Sequence, residues 1–275
     1  GVSGDILVFM PGSYEIRRTT ESLQRLRLPE PVCILSLHGD LPPEVQQRAM
    51  ESQDRHKIIV ATNIAETSLT IPGVRHVVDS GLARINRYDP VRGFTTLYVE
   101  QIGKDSADQR TGRAGREGPG ICIRLWSRQS HQARPERTPP EISRVDLAET
   151  VLNLSMLGFT DPVNFPWFEQ PPRSMVDTAC GLLQDLGARD AGSGTLTPAG
   201  QEMAALPAHP RLARLMLETA GRGVPRLGAL VAATLSERSA LTGRPESSQK
   251  HSDFLALASV LEQARQSSYD PSVCA

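Results

Sequence analysis

The chain has 275 residues, enough for one large domain or two modest ones. Hydrophobic residues at 39% and charged residues at 22% exclude an intrinsically disordered chain, and a formal charge of -1, from 30 basic and 31 acidic residues, gives no bulk attraction for nucleic acid. The basic set is lopsided, with three lysines (Lys57, Lys104, Lys250) against 27 arginines. That bias suits bidentate phosphate contacts, and it suits a GC-rich genome equally well. The four cysteines are scattered, with no C-x-x-C pair and no histidine cluster, which argues against a zinc ribbon and a secreted disulfide scaffold. The longest apolar runs are strand-sized, so neither a membrane span nor a signal peptide is expected, and the cytoplasm is the default location.

In chain order, residues 5–10 (DILVFM) form a continuous apolar run, the pattern of a strand buried on both faces of a parallel sheet. Pro11 and Gly12 break it, and residues 14–28 have helical periodicity. A second strand over 32–37 leads through His38-Gly39-Asp40 to a helix over 42–50 with proline in its first turn. Residues 57–61 (KIIVA), 74–78 (VRHVV) and 120–126 (GICIRLW) are three more strands. This alternation predicts an α/β fold with a doubly wound parallel sheet, whose ligands sit at the carboxyl ends of the strands. Residues 127–140, rich in Arg, Gln and Pro, are read as a connector, after which the chain turns helical. Amphipathic stretches cover 145–157 and 175–186, the second ended by Gly187, and residues 196–198 read as a short strand feeding a helix to Leu206. Two or three helices and a short strand pair in that space suggest a winged-helix domain. Residues from 210 onward (RLARLMLETA, LGALVAATLSE, DFLALASVLEQAR) read as all-helical packing that looks truncated at Ala275.

Three loops carry most of the information; the third, Met10-Pro11-Gly12 with His38-Gly39-Asp40-Leu41-Pro42, is in each part a plain turn by itself. In residues 109–116 (QRTGRAGR), Gln109, Arg113 and Arg116 are spaced by four and then three, which on a helical turn puts them on one face. Gly112 and Gly115 weaken a helix but let a bulky polyanion approach the backbone. Two guanidiniums and an amide aimed at one point suit the charge that develops on a transferred phosphoryl group. The plainer alternative is an arginine-rich surface helix making ion pairs. Residues 61–73 (ATNIAETSLTIPG) follow the KIIVA strand and offer Thr62, Asn63, Thr67, Ser68 and Thr70 as neutral partners for phosphate oxygens, contacts that fix a backbone without reading sequence. Glu66 among them is read as capping or orienting the loop. The alternative, an ordinary N-capped helix start, accounts for one or two hydroxyls.

Taken in order, FMPG, HGDLPPEVQQRAM, ATNIAETSLTIPGV, VVDSGL and QRTGRAGREGPG resemble motifs IV to VI in the second motor lobe of superfamily 2 helicases, specifically the DEAH/RHA group and its bacterial HrpB-type branch. The later segments PPEISRVDLAETVL, WFEQPP, LLQDLGA and HPRLARLML are similar to that branch's winged-helix and ratchet-like helices. The resemblance implies a RecA-like second lobe over 1–140, a winged-helix domain over 141–206, and the start of a helical ratchet-like domain over 207–275. It implies that Gln109, Arg113 and Arg116 contact the γ-phosphate of ATP, the arginines acting as fingers. It implies that Thr62, Asn63 and Thr70, with Gly12, grip the backbone of single-stranded RNA, and that Ser68 reports nucleotide state to the RNA side. Residues 88–101 fit the family's β-hairpin, where Pro90 and Gly93 punctuate a turn.

Two departures stand out. The family usually has an acid that can touch the ribose where this chain has Pro72, and often an aromatic stacking on the base where it has Met50. No G-x-x-x-x-G-K-[ST] and no D-E-x-H occurs in the sequence. In the family those belong to a first lobe, which would also hold most of the Mg2+ ligands and is expected N-terminal to Gly1. The chain therefore reads as half an active site of an ATP-dependent RNA helicase. The alternative is a non-catalytic nucleic-acid-binding or partner-docking module that kept the lobe fold; retention of Gln109, Arg113 and Arg116 together favours the enzyme.

Overall fold

A computed structural model describes residues 3–28, 30–51, 54–67, 69–89 and 93–236. The chain divides into two compact units, Gly1–Val145 and Asp146–Ala275. The apolar runs of the first unit become five parallel strands: β1 (Asp5–Phe9), β2 (Cys33–Leu37), β3 (Lys57–Ala61), β4 (Val74–Asp79) and, after a hairpin, β7 (Ile121–Arg124). Their order is β2-β3-β1-β4-β7, with β1 central between β3 and β4. Helices α1 (Ser13–Gln24), α2 (Pro43–Met50) and α3 (Lys104–Ala114) cover the sheet.

Because side chains alternate across a strand, one apolar run serves both faces. Val8, Ile58 and Val60 meet Ile16 and Leu23 of α1 on one side. Leu7, Phe9, Ile59 and Ala61 meet Ala49 of α2 and Ala114 of α3 on the other. The strands are thus buried on both faces, as the unbroken DILVFM and KIIVA runs require. The carboxyl ends of β2, β3, β1 and β4 are laced together by backbone bonds: Met10 N–H to Ala61 O (2.8 Å), Thr62 N–H to Leu37 O (3.1 Å) and Ser80 N–H to Phe9 O (3.2 Å).

The hairpin is longer than the sequence suggests. β5 (Leu82–Asp89) pairs antiparallel with β6 (Phe94–Gln101) from Leu82 opposite Gln101 to Asp89 opposite Phe94, so its first strand starts six residues before Tyr88. The segment read as a connector is built into this unit. It contains α4 (Arg128–Ala133), and Arg134 is buried at the hairpin base, donating from Nη1 to Gly81 O and Ile102 O, both at 2.8 Å. Its guanidinium lies 4.4 Å from the ring centre of Trp126. An Arg- and Pro-rich composition carried no trace of that burial.

In the second unit the periodic stretches become α5 (Ala148–Met156), α6 (Arg173–Asp185), α7 (Pro198–Ala204), α8 (Pro210–Gly221) and α9 (Pro225–Ser236). Gly187 follows α6 with φ +68°, and Thr197 caps α7 by accepting from Gly200 N–H. The short strand read at 196–198 is reduced to one antiparallel pair, Arg189 with Leu196. Asp146 accepts from Ala148 N–H (2.7 Å) at the start of α5 and lies 3.3 Å from His209 Nε2 at the start of α8. His209 Nδ1 accepts from Arg211 N–H, so the tautomer protonated at Nε2 satisfies both contacts. The DFLALASVLEQAR stretch lies outside the described residues.

Candidate functional site

α3 has almost no apolar stripe, and polar contacts hold it in place. Arg110 is 1% exposed. Its Nε donates to Glu66 Oε2 (2.9 Å) and its Nη1 to Asp79 Oδ1 (2.8 Å) and Leu82 O (3.2 Å), while the guanidinium carbon lies 4.7 Å from the ring centre of Phe9. A fully buried guanidinium is tolerable only when charge-paired and hydrogen-bonded in this way. Ser106 Oγ adds a bond to Glu66 Oε1 (2.6 Å). At the other end of the helix, Gly73 N–H donates to Glu117 Oε2 (3.0 Å), and a Cβ on Gly120 would fall 2.1 Å from Ala114 O, which explains glycine there. α3 therefore runs from the carboxyl edge of the sheet, beside Asp79, to the amino edge, beside Gly73.

This course distributes the predicted residues along the helix. Gln109 is exposed and lines a cleft of about 380 Å³ with Asn63, Glu66, Arg84, Asn86 and Arg144. Arg113, one helical turn further on, is buried, with Nε on Glu66 O (2.7 Å) and Nη1 on Leu69 O. Arg116 is exposed and lies beyond the helix, which ends at Ala114 with Gly115 as its cap. The expectation of one helical face holding all three is thus corrected: glycine at 115 and the turn to β7 stop the helix before Arg116. Burial, followed by repulsion from Arg116, lowers the pKa of Arg113 from its ordinary value, against the pull of Glu66.

Thr62 follows β3, and its hydroxyl accepts from Ile64 N–H at 3.5 Å, a long cap on the 3-10 turn Asn63–Ala65. The N-capped start weighed for this loop is therefore present at Thr62. Asn63 and Thr70 are exposed. Gly12 opens α1, and a Cβ there would fall 2.5 Å from Arg84 Nε. Ser68 lies outside the described residues. Met50 is half-buried at the end of α2, at the sheet's amino edge; the buried Lys57 Nζ holds the carbonyls on either side, Ala49 O (3.4 Å) and Glu51 O (2.7 Å). Gly12, Thr62 and Asn63 thus share the carboxyl edge, and Met50 and Arg116 lie toward the amino edge.

Sequence reasoning missed Arg110, Asp79, Ser106 and Lys57. Only Arg110 had a signal, as the one arginine of QRTGRAGR left off the proposed face. Among the described residues no group of His, Cys, Asp or Glu is placed to hold a metal ion, and no helix is long and apolar enough to cross a membrane.

A five-stranded parallel sheet wrapped by helices, with an arginine-bearing helix laid along a hydroxyl-rich βα loop, defines a RecA-like motor lobe. The family model of the helicase conserved C-terminal domain matches residues 2–118, and over most of its length the chain is similar to ATP-dependent RNA helicases of the HrpA and HrpB type. It is 40% identical over 272 residues to the ATP-dependent RNA helicase HrpA of Escherichia coli strain K12, covering 94% of this chain and 21% of that protein. To HrpB of the same organism it is 38% identical over 237 residues, covering 86% and 29%. To the pre-mRNA-splicing factor ATP-dependent RNA helicase prp22 of Schizosaccharomyces pombe it is 38% identical over 259 residues, covering 91% and 22%. A crystal structure of the Escherichia coli DEAH/RHA helicase HrpB superposes with a TM-score of 0.80 at 34% identity, covering 96% of this chain and 34% of that one. The chain thus spans between about a fifth and a third of the relatives it matches.

Proposed function

We propose that this chain is the C-terminal motor lobe and following accessory domains of an ATP-dependent RNA helicase, coupling hydrolysis to movement along single-stranded nucleic acid. The observation that carries the reading is the placement of Arg113 and Arg116 beside a helix surface left open at Gly112. A Cβ on Gly112 would meet nothing within 4 Å, so no packing within this unit requires glycine there. Glycine inside a helix costs about 0.5–1 kcal/mol relative to alanine. Close approach of a body outside the unit accounts for it, and the opposed charges of Arg113 and Arg116 fit an anion. The terminal phosphate of ATP is that anion, with Gln109 as a third contact and Met50 against the base.

ATP, once bound, supplies the phosphoryl bond whose cleavage drives the cycle. Arg113 and Arg116 hold the charge developing on the transferred group. Thr62, Asn63 and Thr70, with Gly12, hold the sugar-phosphate backbone of RNA, and Ser68 senses nucleotide state. Magnesium is assigned to a first lobe of the same polypeptide, since no phosphate loop or D-E-x-H stands in this sequence. The accessory part divides into a winged-helix domain over 141–206 and a helical ratchet-like domain from 207, and the setting is cytoplasmic. Nucleotide binding closes the two lobes and hydrolysis releases them, so each cycle shifts their grip on the strand.

The isolated 275-residue chain is expected to hydrolyse no ATP above a blank in a phosphate-release assay, whereas the full polypeptide does. Robust turnover by the isolated chain, abolished by Arg116→Ala, would overturn the two-lobe reading.

A further inference from the structure

We infer that Glu66 is a positioning residue through which RNA held by the loop after β3 controls the arginines of α3; this rests on the helicase reading above. Glu66 belongs to the RNA-facing loop by sequence and to α3 by contact. Its carboxylate takes Arg110 Nε at 2.9 Å and Ser106 Oγ at 2.6 Å, and its carbonyl takes Arg113 Nε at 2.7 Å. One residue of the loop is thus gripped through both its side chain and its main chain by a single helix. Arg110 extends the grip to Asp79, which is fully buried at the end of β4.

The two grips differ in what they fix. The carbonyl contact sets where the Arg113 guanidinium lies, and it survives truncation of the Glu66 side chain. The carboxylate contact ties the loop sideways to the helix, so a shift of Thr62 and Asn63 on binding a strand must move α3 with it. In a buried setting such a pair is stiff, because separating Glu66 from Arg110 leaves charge without a partner. Without the carboxylate, Arg113 still reaches the backbone, but the loop can move while the helix stays. Glu66 then governs the transmission from RNA to the arginines, and neither RNA affinity nor the chemistry itself.

The test measures ATP turnover by the full polypeptide with and without saturating single-stranded RNA, and RNA affinity by anisotropy. In Glu66→Ala, turnover without RNA and RNA affinity should stay within about threefold of wild type, while stimulation by RNA falls at least tenfold. Glu66→Gln, whose amide oxygen can still accept from Arg110 Nε and whose NH2 can donate to Ser106 Oγ, should recover most of the stimulation. Ser106→Ala, which removes one bond and is the milder variant should Glu66→Ala fold poorly, should lose part of it. Stimulation unchanged in both Glu66→Ala and Ser106→Ala would overturn the inference, as would an equal fall of basal and stimulated rates. A wild-type polypeptide that RNA does not stimulate at all would instead overturn the helicase reading.

Discussion

At the scale of single residues, burial separates two kinds of arginine that the sequence writes identically. Arg110 is sealed between Glu66, Asp79 and the face of Phe9, whereas Arg116 is exposed beyond the end of α3. Arg113 stands between them, its guanidinium oriented by two carbonyls and its charge opposed by Arg116. Gly112 gives this arrangement its sharpest residue-level consequence. Alanine there meets no neighbour, so Gly112→Ala should raise the stability of the first unit by about 0.5–1 kcal/mol, seen as a higher urea midpoint. In the full polypeptide the same change should slow ATP turnover, because the added methyl group occupies the surface the nucleotide needs. A variant both more stable and fully active would remove the argument that an external body approaches this helix.

At the scale of elements, strands were far more legible than α3 or the hairpin. Residues 57–61 become β3 at the bounds the apolar run sets, and 42–50 becomes α2 to within a residue, because apolar burial writes itself into hydropathy. α3 is held by Arg110, Ser106 and Arg113, and ion pairs leave no periodic signature, so its position and its end before Arg116 were hidden. The early start of β5 was hidden for a related reason: in LARINRYD charged and amide side chains interleave with apolar ones on a strand paired only to β6. The candidate loop was read in composition, with Glu66 orienting it and an N-cap weighed as the alternative; that Thr62 is the cap and that Arg110 and Ser106 are the partners of Glu66 emerge only with the fold. For this loop the account makes a specific claim. Thr62→Ala in the full polypeptide should weaken single-stranded RNA binding by similar factors across different sequences. Because Thr62 is uncharged, the dependence of affinity on salt should hardly move, that slope being set by Lys and Arg contacts. Anisotropy over several sequences at two salt concentrations checks both; sequence-selective loss would mean that the loop reads bases.

At the scale of the whole molecule, the chain divides into two compact units. In the second unit, Asp146 joins the starts of α5 and α8. Burial works against its ionisation, but the bonds from His209 and Ala148 N–H, with the charge of Arg211, outweigh it and lower its pKa from the ordinary value. A carboxylate whose folded pKa is depressed contributes stability that is present above its unfolded pKa, near about 3.9, and lost as pH falls through the folded value. Asp146→Asn should therefore lower the melting temperature of this unit at neutral pH, and the gap to wild type should close as pH drops below about 4. A gap independent of pH would mean that the carboxylate's charge is immaterial. In the first unit, the sheet sets β-loops at one edge and Met50 and Arg116 toward the other, with α3 joining them. The central claim is that this lobe delivers its arginines to ATP held by another lobe. Arg116→Ala in the full polypeptide tests it most directly, with ATP turnover and RNA affinity measured on the same preparation. The account predicts that turnover falls by about 10³ or more while RNA affinity stays within about threefold, as for an arginine finger. Turnover that survives while RNA binding collapses would contradict it and make Arg116 a clamp on the nucleic-acid backbone.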